Sequence, residues 1–305
     1  MEKTLYNLHG IISTVITPFN EDGSVDYDSL AREIELGVKD GTNGFLVPCV
    51  ASEYKYLTFE EKKQMTRVVV EAANKRVVVI GGVAADTQEQ RDALCEEFLG
   101  LGCDGLNLCL PEVSEEEYTQ AVKRIDAMHP PFLMLQDEDD IGYGMREEFI
   151  MELYRTIPSF RCIKIEITGG NGPKYTHLAE ASHGTINISC GWGIDQMIET
   201  MDRGVHALMP SGLFKLYSNV YRLYHEKNRE AAKKLFFDML PIVTFTRQFG
   251  YLNRTFHKMY LKRAGAFKTT ILRQEGIFDS YSERYANEML DRAAQLEANI
   301  DSYWK

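Results

Sequence analysis

The sequence has no apolar run approaching the roughly 18–20 residues of a membrane helix, so no membrane span is expected. It has no C-x-x-C pair. Its six cysteines, Cys49, Cys95, Cys103, Cys109, Cys162 and Cys190, sit mostly in or beside apolar runs. Buried thiols in a reducing, cytoplasmic interior explain them. The seven histidines show no metal-ligand spacing. Ser-His-Asp, P-loop and G-x-G-x-x-G patterns are absent, so no metal and no organic cofactor are expected. The opening Met1-Glu2-Lys3-Thr4 carries no apolar signal segment. Basic residues are the minority, 34 Lys and Arg against 45 Asp and Glu, for a net charge of −11. That balance argues against nucleic-acid and anionic-membrane partners. It identifies no substrate, since solubility alone explains it.

What is there is an alternation repeated eight times. Short apolar, β-branched runs precede longer amphipathic stretches. The runs are 10–16, 44–48, 76–81, 105–110, 132–136, 162–166, 185–189 and 205–209. Continuous apolar runs suit parallel strands covered on both faces. Leu30, Ile34 and Val38 fall on one helical face. Thr58 with Glu61, Thr87 with Gln90 and Ser114 with Glu117 have capping-box spacing, and Gly41 and Gly102 mark helix ends. Eight such units without a dinucleotide turn predict a (β/α)8 TIM barrel, an α/β fold. The barrel is expected over residues 1–215. A helical extension over 216–305 is expected to form one structural unit with it, broken only by a loop at 269–278.

Function in a barrel sits where the strands end. The sixth run reads Arg161-Cys162-Ile163-Lys164-Ile165-Glu166-Ile167. Alternation puts Cys162, Lys164 and Glu166 on one face and the isoleucines on the other. A lysine so placed is rarely buried without a partner or a use. Burial is expected to lower its pKa and free its amine as a nucleophile. The structural alternative is an ion pair with Glu166 that only fills the barrel. The fifth run leaves the barrel through Gln136, Asp137, Glu138, Asp139 and Asp140. Gln136, Asp137 and Asp140 are candidates for proton transfer or substrate binding, against the alternative of a solvated acidic loop. Ser52 and Glu53 open the loop after the second run. Glu53 serves equally as a carboxylate that caps backbone N–H groups. Gly191, after the seventh run, permits close backbone approach to a ligand.

At these residues the chain resembles the superfamily of N-acetylneuraminate lyase and dihydrodipicolinate synthase, the class I Schiff-base lyases. The resemblance is carried by Gly10 to Phe19, by the turn from Asn20 to Asp26, and by Lys164 at the position of the family's Schiff-base lysine. It implies a (β/α)8 barrel with C-terminal helices, a homodimer or homotetramer, and an imine at Lys164 with no cofactor. The departures are specific. Where the family has G-[TS]-T-G-E, this chain has Cys49-Val50-Ala51-Ser52-Glu53. Where the family has Y-N-x-P, the tyrosine's place falls on Leu135. Counting five positions on, to the family's substrate-binding arginine, lands on Asp140. The paired tyrosines after strand four are replaced by Leu110-Pro111-Glu112-Val113.

The expected activity is therefore a lyase or aldolase that acts on a 2-oxo acid or related carbonyl compound through Lys164. Efficient dihydrodipicolinate synthesis is not expected, since Val50 and Leu135 shuttle no proton. The acidic run is expected to make one side of the mouth electronegative, favouring a substrate with a neutral, hydroxylated or cationic far end. Three other readings are a dehydratase on a sugar-derived oxo acid, a ligand-binding homologue without catalysis, and an enzyme with a metal held by the 137–140 cluster.

Overall fold

The computed structural model describes residues 8–110, 113–168, 171–226, 228–247 and 250–305. Its strands are β1 (Gly10–Thr14), β2 (Gly44–Val47), β3 (Val78–Gly82), β4 (Gly105–Leu108), β5 (Leu133–Asp139), β6 (Phe160–Ile167), β7 (Asn187–Cys190) and β8 (Ala207–Leu208). Each pairs in parallel with its sequence neighbour, and β8 returns to β1, so the sheet closes into a barrel in chain order. Strand ends fall within two residues of expectation except in β5. That strand runs to Asp139 because its pairing with β6 continues through Asp137, Glu138 and Asp139 opposite Ile165, Glu166 and Ile167.

The strands are apolar on both faces because each face has its own core. Inside the barrel, Ile12, Leu46, Ile80, Met134, Cys162 and Met209 form a lumen cluster. Outside, Ile11, Phe45, Val79, Leu135, Ile163 and Ile165 pack under the helices. Those helices are α1 (Tyr27–Lys39), α2 (Phe59–Ala73), α3 (Gln88–Leu101), α4 (Glu115–Asp126), α5 (Glu147–Thr156), α6 (Asn171–Ala181), α7 (Met197–Asp202) and α8 (Phe214–His225). Leu30 and Ile34 are fully buried on the inner face of α1, while Val38 is half-buried. Thr58–Glu61 and Ser114–Glu117 form reciprocal capping boxes. Thr87 accepts from the Gln90 N–H without the return bond, so that cap is only half formed. Gly102 ends α3 at φ 88°, a left-handed conformation that suits glycine.

The expected boundary at residue 215 falls inside α8. This helix packs on β1 and is the barrel's eighth, so the barrel extends to His225. The extension then consists of α9 (Arg229–Thr246), α10 (Gly250–Arg263) and α11 (Ser280–Ala298), with non-helical chain over most of 267–279. The segment after β4 includes Pro111 and Glu112, which lie outside the described residues, as do Gln248 and Phe249 between α9 and α10. Among the described residues, no helix is long and apolar enough to cross a membrane.

Close approach of backbones at the mouth fixes one residue type. A Cβ on Gly82 would lie 1.9 Å from the Pro48 carbonyl oxygen, a backbone atom with nowhere to go. Gly82→Ala is expected to cost about 3 kcal/mol, the upper end for overpacking. Chemical denaturation checks this, and an unchanged midpoint refutes it.

A candidate active site at the barrel mouth

The lumen changes character from bottom to top. Above the apolar cluster, Asn107 of β4, Gln136 and Glu138 of β5, Lys164 and Glu166 of β6 and Ser189 of β7 replace the aliphatic layers. Lys164 is 3% exposed. Its Nζ lies 2.9 Å from Glu166 Oε2. Alternation along β6 thus holds: Cys162, Lys164 and Glu166 face the lumen, and Ile163, Ile165 and Ile167 face the helices.

Gln136 orders the carboxylates around this amine. It stands opposite Lys164 in the β5–β6 register. Its Oε1 accepts from Asn107 Nδ2 at 3.0 Å, which fixes which way the amide points. Its Nε2 then donates to Glu166 Oε2 at 2.5 Å and to Glu138 Oε2 at 3.1 Å. The Cys109 thiol also donates to Glu138 Oε2, at 3.0 Å. Burial, reinforced by Glu138, pushes that thiol well up, so it stays protonated as a donor. The expectation that burial lowers the Lys164 pKa does not hold. Burial does pull the ammonium down, but Glu166, with Cys49 and Glu138, outweighs it, and the net direction is upward.

The remaining sequence candidates divide sharply. Leu135, counted into the tyrosine's place, is fully buried against the helices. The lumen residue beside Lys164 is Gln136. Asp137 also points outward. Its Oδ2 lies 2.5 Å from Lys174 Nζ in a pair with both side chains at most 1% exposed, and its Oδ1 accepts from the Met145 N–H at 2.7 Å. Lys174 in turn donates to the Tyr143 and Met145 carbonyls. Asp139 accepts from the N–H groups of Ile141, Gly142 and Gly144. The acidic run therefore does not converge on one point. Only Glu138 and Asp140 of these four carboxylates line the mouth. Among the described residues, no group of three His, Cys, Asp or Glu side chains has the arrangement of a metal site.

Ser52 and Glu53 do not line the cavity. The Ser52 hydroxyl donates to the Val15 carbonyl at 2.6 Å and accepts from the Cys49 N–H at 3.1 Å. Glu53 is an anchor for the C-terminal segment. Its Oε1 lies 2.7 Å from Lys258 Nζ, and its Oε2 accepts from the N–H groups of Arg273 and Gln274. Burial, only partly offset by Glu53, lowers Lys258 to about 8. Gly191 does line the cavity, but the group that approaches it belongs to the protein. A Cβ there would lie 2.0 Å from Glu166 Oε1. Its lack of a side chain is what admits the Glu166 carboxylate.

These groups border a cavity of about 570 Å³ at the strands' C-terminal ends. Its floor holds Lys164 and Glu166. Its rim includes Thr14 and Ser211, whose hydroxyl oxygens lie 2.6 Å apart, and residues of α9 and α10. Glu138 was not among the sequence candidates, although alternation from Gln136 puts it on the lumen face. Nor were Arg254 and His257 of α10, since nothing local shows which helix of a tail folds over a barrel mouth.

A closed parallel barrel with a polar cavity at its strand ends, floored by a buried lysine, defines the class: a (β/α)8 barrel with a site of enzymatic type. Residues 7–274 match the model of the dihydrodipicolinate synthetase family, and the chain belongs to that family. It is 32% identical over 186 residues to a 4-hydroxy-tetrahydrodipicolinate synthase of Persephonella marina, covering 60% of this chain and 62% of that one. It is 24% identical over 240 residues to the enzyme of the same name from Geobacter metallireducens, covering 76% and 81%. Among solved structures, dihydrodipicolinate synthase from Rhodopseudomonas palustris superposes with a TM-score of 0.84 at 23% identity, covering 95% of this chain and 99% of that one. The sialic acid aldolase of Ruminococcus gnavus does so with 0.84 at 15%, covering 96% and 99%. At these identities the superpositions speak for the fold.

Removing one partner of a buried pair strands the other charge, at a cost of about 3–5 kcal/mol. Asp137→Asn is therefore expected to lose about 3 kcal/mol of stability while leaving the chemistry of Lys164 intact. Urea unfolding together with amine labelling at Lys164 checks this. Full stability with lost Lys164 reactivity would assign Asp137 to catalysis.

Proposed function

We propose that the protein is a Schiff-base lyase or aldolase acting on a 2-oxo acid or related carbonyl compound. The observation that carries this is the Lys164 amine on the floor of the cavity, 2.9 Å from a carboxylate able to take its proton. In this mechanism Glu166 accepts a proton from the ammonium, and the freed amine attacks the carbonyl carbon. A second nitrogen proton passes to the alkoxide to give the neutral carbinolamine, and the proton held by Glu166 then goes to its hydroxyl, which leaves as water. The iminium so formed withdraws electrons from the neighbouring carbon, supporting C–C cleavage, C–C formation or loss of a hydroxyl. Glu138 serves the second proton transfer. Among the described residues its donors are neutral, Gln136 and Cys109, and it stands opposite Glu166 on the cavity wall. No organic cofactor or metal enters these steps. Family membership and the relatives' names support a lyase; the reaction itself is our inference.

Efficient dihydrodipicolinate synthesis remains disfavoured on this reading. Gln136 beside the lysine carries no titrating proton, and Val50 at the cavity wall offers no hydroxyl. Lost acid–base assistance of this kind is worth about 10²–10⁴ in rate. A cytoplasmic homo-oligomer fits this family reading.

Borohydride with pyruvate is expected to add mass at Lys164 and to add none in Lys164→Ala. Labelling elsewhere, or none at all with a panel of 2-oxo acids, refutes the reading. The pH dependence follows from the sign of the shift. Glu166 raises the Lys164 pKa, so Glu166→Gln leaves burial unopposed at that contact and lowers it. The rise of trapping rate with pH is expected to move to lower pH in Glu166→Gln. An unmoved or alkaline-shifted profile shows that Glu166 does not control the proton on Lys164.

A further inference from the structure

The cavity wall is polarised. Glu138, Asp140 and Glu166 belong to the β5–β6 side. Across an eight-strand ring, β6 faces β2, and there the loop after β2 meets the first two turns of α10. Gly250, Asn253, Arg254 and His257 of that helix line the cavity, spaced i, i+3, i+4 and i+7, which makes one stripe.

Arg254 is held firmly and is not neutralised. Its Nε and Nη2 donate to the Val50 carbonyl at 3.3 and 2.8 Å, and its Nη1 donates to the side-chain carbonyl of Gln274. Both acceptors are uncharged. Among the described residues, no carboxylate forms an ion pair with this guanidinium. Its Nη1 curls over the start of the helix, where a Cβ on Gly250 would meet it at 3.3 Å. The helix start adds its own positive end. One turn on, His257 is 3% exposed; its Nδ1 packs against Gly212, where a Cβ would lie 2.7 Å away, and has no hydrogen-bond partner among the described residues. Burial holds that imidazole at about 3, so it is neutral and free to donate or accept. The ring lines the cavity, and a neutral imidazole offers a ligand one donor or acceptor there. The position is also apt: Arg254 grips the carbonyl of Val50, the residue whose apolar side chain offers no hydroxyl to a substrate.

We propose that the inner face of α10 is a carboxylate subsite. Arg254 and His257 hold the carboxylate of an oxo-acid substrate, its carbonyl meets Lys164, and its hydroxylated or cationic remainder lies against Glu138 and Asp140. The substrate class is thus a dipolar oxo acid. The assignment rests on reading Lys164 as the imine-forming residue, so the test separates the two.

Titration calorimetry of Lys164→Ala, in which no imine forms, compares pyruvate with hydroxyacetone, a neutral ketone of similar size. Pyruvate is expected to bind at least about tenfold more tightly, as a charge-assisted contact implies. Adding Arg254→Gln is expected to abolish that preference, Arg254→Lys to keep part of it, and His257→Phe to reduce it. In the protein with Lys164 intact, Arg254→Gln is expected to raise the half-saturating pyruvate concentration in borohydride trapping about tenfold or more and to leave that of hydroxyacetone unchanged. Equal shifts for both ketones would reduce Arg254 to an anchor for Val50 and Gln274 and overturn the subsite. Absence of pyruvate binding to Lys164→Ala overturns it as well. A calorimetric preference that depends on Arg254, without any trapping at Lys164, upholds the subsite and removes the imine.

Discussion

The buried contact between Lys164 and Glu166 governs the rest of the mouth. A lysine in a barrel lumen is tolerated only with a counter-charge and satisfied acceptors, because desolvating either ion alone costs several kcal/mol. The chain meets this within one strand, two residues apart on the same face. Several neighbours then follow as consequences. Gly191 has no side chain because Glu166 fills that space. Gln136 must present its NH₂ group, since two carboxylate oxygens await it, and Asn107 holds it that way. Glu138 extends the network to the cavity wall and draws the Cys109 thiol into it.

The same pair explains why the lysine's protonation runs opposite to simple expectation. A lysine surrounded by aliphatic groups loses its proton for want of solvation. Here the counter-ion overrides that tendency, and the resting state is an ion pair. On the Schiff-base reading proposed above, such a state keeps the proton needed to expel water from a carbinolamine within one hydrogen bond of the Lys164 nitrogen. In that reading an adjacent carboxylate takes the part that a relay of hydroxyl groups would otherwise play.

Much of the fold was legible because a (β/α)8 barrel writes itself in a repeated local pattern. Eight apolar runs became eight strands in order, and two capping boxes formed at Thr58 and Ser114. The limits were equally physical. The end of β5 is set by hydrogen bonding to β6, so charged Asp137, Glu138 and Asp139 count as strand despite their composition. That extension is also why the acidic run could not be read as a loop. Strand phase sends Glu138 to the lumen and Asp137 to Lys174. Glu138 follows from Gln136 by the same alternation that places Glu166 from Lys164. Arg254 and His257 carried no such signal, because helix α10 reaches the mouth through tertiary packing.

That packing has its own logic. The loop after β2 uses Glu53 to bind Lys258 of α10 and the backbone of Arg273 and Gln274. Lys258 lies one turn beyond Arg254, so the ion pair that anchors the tail also fixes the rotation of α10 about its axis. With Lys258 turned toward Glu53, the residues at 250, 253, 254 and 257 must face the mouth. The buried carboxylate at Glu53 therefore shapes the cavity without touching it. The buried charge at Glu53 is accounted for by this constraint: the loop after β2 and the helix that lines the mouth beside it keep their register only while that ion pair holds.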